Sequence, residues 1–135
     1  MNVIVDTSVW SLALRRKSPP IDSPMITALQ GLIVEDRVMM LGAIRQEILS
    51  GIKSPEQFHQ LKNYLQGFTD LKLDSDDYEL AADFFNQCRR SGIQGSNTDF
   101  LICAVVHRRS YQILTEDGDF KNFQNYIPVN LFKVN

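Results

Sequence analysis

A chain of 135 residues is the size of one domain and is long enough to bury a core of its own. Its 44% hydrophobic and 22% charged residues are ordinary for a globular protein, and no apolar run approaches the roughly 20 residues needed to span a bilayer. A net charge of −2 argues against a protein that grips nucleic acid by bulk positive charge.

The chain opens on Val3-Ile4-Val5, a short β-branched run that stops at Asp6 and leaves no room for the basic and apolar regions of a signal peptide. The cytoplasm is therefore the expected compartment. A loop from Arg16 to Pro24, with three prolines, is the expected mobile segment. Ile26, Leu29, Leu32 and Ile33 then recur at helical spacing, and Val38–Leu41 is a second strand ending at Gly42. Ile44, Ile48 and Leu49 mark a helix stopped by Gly51 at its C′ position. Ser54-Pro55-Glu56-Gln57 places an N-cap, a first-turn proline and a capping glutamine in order, for a helix through Phe58, Leu61 and Leu65 to Gly67. Leu71-Lys72-Leu73 reads as a short strand. Asp76-Asp77-Tyr78-Glu79 opens a helix carrying Leu80, Ala81, Phe84, Phe85 and Cys88 and ending near Gly92. Ser96-Asn97-Thr98-Asp99 opens another, with Leu101, Ile102, Val105 and Val106. Tyr111–Thr115 and Val129–Phe132 are the last strands. Strands alternating with helices predict an α/β fold with a parallel sheet covered on both faces.

Four acids fall at one edge of such a sheet. Asp6 follows the first strand and Asp117 the fourth, so both lie at carboxyl ends, where ligand sites form at a topological switch point. Glu47 sits early in the helix after the second strand. Asp99 sits in the first turn of the helix that leads back into the fourth strand, which also places it at the carboxyl edge. Carboxylates brought together repel unless a cation sits between them. Hard divalent ions favour oxygen ligands and activate water for phosphodiester chemistry. Each acid also has a structural role open to it. Asp6 reads as an N-cap, Asp99 as the acid of a capping box with Ser96, and Asp117 as a turn residue. Glu47, flanked by Ile44 and Ile48, wants a partner, which an arginine would supply.

Cys88 and Cys103 read as buried free thiols, and His59 and His107 add no zinc spacing and no nucleophile's base. The basic clusters Arg15-Arg16-Lys17, Arg89-Arg90 and Arg108-Arg109 read as solvated helix ends, with RNA contact as the alternative. Arg45 lies two residues from Glu47, off its face, and reads as a surface salt bridge.

Four motifs, in order and spacing, resemble those of the PIN-domain ribonucleases, most closely the VapC toxins of bacterial toxin–antitoxin pairs. They are Val5-Asp6-Thr7-Ser8-Val9-Trp10, Ile44–Gly51 around Glu47, Asn97–Ala104 led by Asp99, and Leu114–Phe120 in the pattern T-x-D-x-D-F. The resemblance covers essentially the whole chain and implies one PIN-like nuclease domain over residues 1–135. The implied fold is a three-layer sandwich: a central parallel sheet of about five strands, with helices on both faces. The implied activity is a magnesium- or manganese-dependent endoribonuclease that inhibits translation. Asp6, Glu47, Asp99 and Asp117 match its catalytic acids and Asp6, Asp99 and Asp117 its metal ligands, with Asp6 and Asp99 at the principal positions. Asp119 matches the motif's last acid, while Thr7, Ser8 and Thr115 match hydroxyls that orient water or carboxylates.

The implied partners are a structured RNA such as tRNA or rRNA, cut at a single-stranded loop, a cognate antitoxin crossing the acidic groove, and a second copy of the chain. Trp10, Leu12 and Leu14 are candidates for that homodimer surface, with core packing the alternative. No membrane partner is implied. Three other readings are a phosphoacceptor receiver domain, a non-catalytic module on the PIN scaffold, and a PIN nuclease of RNA processing. A receiver would carry an acidic pair after the first strand and a lysine after the fifth, both missing here. All four acids are present, against the non-catalytic module, and the bare domain favours the toxin over the processing nuclease.

Overall fold

The computed structural model describes residues 1–15 and 22–134. Residues 16–21, which hold most of the expected Arg16–Pro24 loop together with Arg16 and Lys17, lie outside the described residues. The described elements run β1 (Val3–Val5), α1 (Thr7–Leu14), α2 (Pro24–Val34), β2 (Val38–Met39), α3 (Gly42–Leu49), α4 (Pro55–Leu65), α5 (Ser75–Arg90), α6 (Asn97–Arg109), β3 (Gln112–Leu114) and α7 (Asp119–Phe123).

The sheet is parallel, in the order β2-β1-β3. Val3 and Ile4 pair with Val38 and Met39, and Val3, Ile4 and Val5 with Gln112, Ile113 and Leu114. β1 is therefore the central strand, and all three of its residues are buried, as a continuous apolar run in a parallel sheet covered on both faces should be. The two further strands expected from the sequence shrink to single bridges, Met40 to Asp70 on one edge and Ile113 to Leu131 on the other. At the first edge, Arg109 donates to the carbonyl of Lys72, a group that a strand partner would otherwise take. At the second, Ile113 and the Asn130–Phe132 backbone exchange hydrogen bonds of 2.9 and 2.8 Å. The parallel three-layer arrangement holds, with a narrower sheet than the motif resemblance implies.

Helix ends follow local chemistry. Ser54 accepts from the Gln57 N–H with Pro55 in the first turn, as the sequence predicts, and Ser23-Pro24 starts α2 in the same way, two residues before the expected Ile26. Gly51 follows α3 at φ +81°, a left-handed conformation that costs glycine little. α5 is amphipathic: Asp77, Ala81, Phe84 and Cys88 recur along one buried stripe. α6 is apolar all round, with Phe100 to Val106 buried without a break, and it packs on α5, β1 and β3. α1 packs on α2 and α3, and α3 on α4, which gives the sheet its other helical group.

Trp10 and Leu12 belong to the core, so core packing, not a dimer surface, is their role in this chain. The short helix α7 stands where the sequence reads only as a turn. Phe120 and Phe123 anchor it, packed edge to face and against Phe100. Arg45 pairs with Asp70 at 2.9 Å and also binds the carbonyls of Leu65 and Phe68, clamping the end of α4 beneath the sheet edge.

Candidate active site

The strand order fixes where a site forms. The chain leaves β1 for β2 on one side and later crosses to β3 on the other, so β1 and β3 flank the switch point. Asp6 follows β1 directly, and its N–H continues the ladder to the carbonyl of Leu114 at 2.9 Å. Three residues beyond β3 stands Asp117. Glu47 comes from the second turn of α3, and Asp99 from the first turn of α6. All four line one open cleft of about 610 Å³, together with Thr7, Ser8, Gln46, Ser50 and Thr98, and among the described residues no lysine or arginine lines it.

Hydroxyls rather than cations hold these acids. Asp6, 6% exposed, sits at the N-cap of α1 but makes no side-chain cap bond. Its Oδ2 instead receives the hydroxyls of Ser8 at 2.7 Å and Thr115 at 2.8 Å, and no described residue bonds its other oxygen, Oδ1. The same two hydroxyl oxygens accept from the loop beyond β3, Ser8 from the Glu116 N–H at 3.2 Å and Thr115 from the Asp117 N–H at 2.9 Å. Asp6 and Asp117 are thereby tied through shared hydroxyls. Glu47 receives the Thr7 hydroxyl at 2.6 Å, so among the described residues the partner its apolar flanks call for is a hydroxyl rather than the alternative arginine.

Asp99 caps its helix and also lines the cleft. Its Oδ2 accepts from the Ser96 N–H at 3.1 Å while its own N–H donates to the Ser96 hydroxyl at 3.0 Å, a complete capping box. The same side chain faces the cleft. Burial raises its pKa above the ordinary carboxylate value, and the charges of Asp6 and Asp117 push the same way, against the lowering by Ser96. Asp117 likewise keeps its turn role, accepting from the Asp119 N–H at 2.9 Å. Asp119 itself is exposed at the start of α7 and does not line the cleft.

The donor set is all oxygen, from four carboxylates, hydroxyls and amides. That suits a hard divalent ion such as Mg²⁺ or Mn²⁺, which takes one or two carboxylates directly and fills its shell with water. Among the described residues, no three acids already close into a coordination cluster. Like charges without a counterion hold apart, so few direct ligands is the arrangement this cleft fits. Cys103, one turn along α6 from Asp99, is buried, and burial drives its thiol pKa far upward, which removes it as a nucleophile.

Sequence reasoning missed Gln46, Ser50 and Thr98 at the cleft. Each neighbours a named acid or helix end, and only the fold shows which way it faces. It also missed Asp77. This acid lies on the apolar stripe of α5, a spacing that would have flagged it, and is 0% exposed. Arg109 reaches it at 2.7 Å and Arg108 at 2.8 Å, and Arg108 also meets Asp74 at 2.9 Å. Arg108 and Arg109 are thus not the solvated helix end the sequence predicts. They join the C-terminus of α6 to the N-terminus of α5, a pairing that both helix dipoles favour.

Solved structures share the architecture. FitAcB from Neisseria gonorrhoeae superposes with a TM-score of 0.75 at 21% identity, over 97% of this chain and 96% of that one. FitAB bound to an IR36 DNA fragment gives 0.75 at 20%, over 96% and 93%. VapBC2 from Rickettsia felis bound to a DNA fragment from its promoter gives 0.70 at 15%, over the full length of both chains. At these identities the likeness is one of fold. No curated protein sequence matches the chain. The PIN domain model matches residues 3–125, spanning all four acids from Asp6 to Asp117, and the chain belongs to the PIN domain family.

Proposed function

We propose that this chain is a divalent-metal-dependent endoribonuclease, the toxin of a bacterial toxin–antitoxin pair, built as one domain. One observation carries the reading: four carboxylates from separate parts of the chain line a single cleft with no cationic side chain among its described lining residues. A fold accepts such uncompensated charge where a cation is to be bound. Nuclease chemistry is the general property of the PIN family to which the chain belongs.

Asp6, Asp99 and Asp117 hold Mg²⁺ or Mn²⁺ in this reading. The ion, when bound, supplies charge neutralisation for the phosphodiester and a water of lowered pKa. The protein's own residues do the positioning. Ser8 and Thr115 fix the Asp6 carboxylate through one oxygen and leave the other as a ligand. Thr7 fixes Glu47 in the same way, which leaves Glu47 one oxygen to accept the proton of the attacking water. The open cleft admits a strand with an unpaired backbone, in keeping with cleavage at a single-stranded loop of a folded RNA such as tRNA or rRNA. Likeness in fold to chains solved as the FitAB and VapBC2 assemblies supports an antitoxin partner, which in this reading crosses the acidic cleft, and a second copy of the chain completes a homodimer.

The test is cleavage of total bacterial RNA by purified protein with Mg²⁺ or Mn²⁺, with EDTA, and by Asp6→Asn and Asp99→Asn. Discrete fragments that vanish with EDTA and fall by about 100-fold or more in both variants are expected, a loss beyond that of merely supporting residues. Cleavage that survives EDTA or either substitution removes the four-acid site. Failure of the neighbouring gene's product to bind and inhibit the protein would remove the toxin role while leaving the nuclease.

A further inference from the structure

Beside the acidic cleft lies a second pocket, about 500 Å³ in volume, within the usual range of small-ligand sites. Ala43 and Thr98 line both, so the two are continuous. Their chemistry is opposite. The cleft is crowded with carboxylates, whereas among the described residues no charged one lines the pocket. Tyr78, 55% exposed, and Phe85 give it aromatic surface from α5, while Asn86 and Asn97 bring carboxamides from α5 and α6. Within the described residues neither carboxamide makes a hydrogen bond to another group, and each offers both a donor and an acceptor. Phe85 is held edge to face on Phe100 at 5.5 Å, next in sequence to Asp99, and the Arg89 guanidinium lies 6.0 Å from the Phe85 ring.

We propose that this pocket is a nucleobase subsite, which takes the base next to the phosphodiester held at the carboxylates. The proposal rests on the nuclease reading above. A single strand of RNA alternates charged phosphates with uncharged aromatic bases. The surface repeats that alternation: an acidic cleft suited to a metal-bound phosphate, an uncharged aromatic pocket with amides, then Arg89 for the following phosphate. Aromatic faces stack on any base, whereas amides read the Watson–Crick edge, so Tyr78 and Phe85 supply affinity and Asn86 and Asn97 supply preference. The same exposed aromatics would also suit a protein occupant. Continuity with the carboxylates and the free amides favour RNA.

The probes are fluorescent single-stranded oligoadenylate, oligouridylate and oligocytidylate, with an abasic strand of equal length, bound to the whole protein in calcium and read by anisotropy. Reading binding separates this inference from the nuclease itself, whose failure appears as absent cleavage. The wild type is expected to prefer base-bearing strands over the abasic one by about ten-fold or more, and Tyr78→Ala to shrink that preference about ten-fold. Asn86→Ala and Asn97→Ala are expected to flatten the order among the three bases, which a purely structural role would not do. Circular dichroism and light scattering accompany each variant. An unchanged preference in a folded Tyr78→Ala overturns the subsite. So does a Tyr78→Ala protein that loses only its dimer, which would assign the face to a second copy, and so does wild type that binds abasic and base-bearing strands alike.

Discussion

Asp77 and Asp6 are both buried acids, 0% and 6% exposed, yet the fold treats them in opposite ways. Asp77 is met by two guanidiniums, at 2.7 Å from Arg109 and 2.8 Å from Arg108. Asp6 is met by two hydroxyls, and three more acids share its cleft. Among the described residues, arginines reach Asp77 and none reaches the four acids of the cleft. The difference separates a carboxylate whose charge is cancelled within the protein from one that, in the function proposed above, is aimed by hydroxyls at a bound cation. Direction of pKa follows the same division. The Arg109 bond holds Asp77 well below the usual carboxylate range despite burial, while burial and neighbouring charge raise Asp99.

The sharpest way to break this comparison is Asp77→Asn. It leaves two arginines facing a neutral group, and because both are partly exposed the cost falls below the roughly 3–5 kcal/mol of a fully buried pair. Thermal or denaturant unfolding should show that loss near neutral pH. The sign with pH follows from the lowered folded-state pKa: Asp77 contributes its stability above the unfolded value of about 3.9 and loses it as pH falls below that. The gap between wild type and Asp77→Asn should therefore close in acid. A gap independent of pH would make Asp77 a packing residue only.

Thr115→Val tests the other half. Valine keeps the shape and removes the hydroxyl that joins Asp6 Oδ2 to the Asp117 N–H. Residues that orient metal ligands typically change affinity or activity about 10–100-fold, and calorimetric titration with Mn²⁺ should show a loss in that range. Unaltered Mn²⁺ affinity would mean that Asp6 does not depend on its hydroxyls.

The smallest effect is also the most diagnostic. Without metal, Asp99→Asn should leave stability unchanged or raise it by up to about 1 kcal/mol, since it keeps a carbonyl oxygen for Ser96 and removes a like charge. Because the folded-state pKa of Asp99 is raised, its ionisation costs stability above the unfolded value near 3.9, so any gain should appear above that pH and vanish below it. Mg²⁺ should stabilise wild type by about 2.7 kcal/mol at a hundred times Kd, read as a raised melting temperature, and should not stabilise Asp99→Asn. A destabilised Asp99→Asn would place Asp99 with Asp77 among the structural acids.

Much of this was legible in the sequence because it is local or periodic. β1, α3, α4, the α6 capping box and the edge on which the four acids gather follow from strand lengths, cap residues and the rule that sites form at carboxyl ends. Less local features were not. The strands at Leu71–Leu73 and Val129–Phe132 have the right pattern and shrink to single bridges, because an edge strand depends on whether its neighbour pairs or a side chain such as Arg109 takes its carbonyls. Helix α7 depends on Phe123 finding Phe100 and Phe120 packing on Phe123, and no turn signal contains those contacts.

By itself the sequence determined which residues carry charge, where helices and central strands begin, and that Asp6, Glu47, Asp99 and Asp117 reach one rim. Only the tertiary structure decided what each charge meets. Asp6 and Asp77 look alike in the chain, and the arginines that neutralise one lie 31 and 32 residues away from it, while the Thr115 hydroxyl that aims the other lies 109 residues away. Electrostatic compensation acts through space at distances of a few Å, and sequence separation carries almost no information about it.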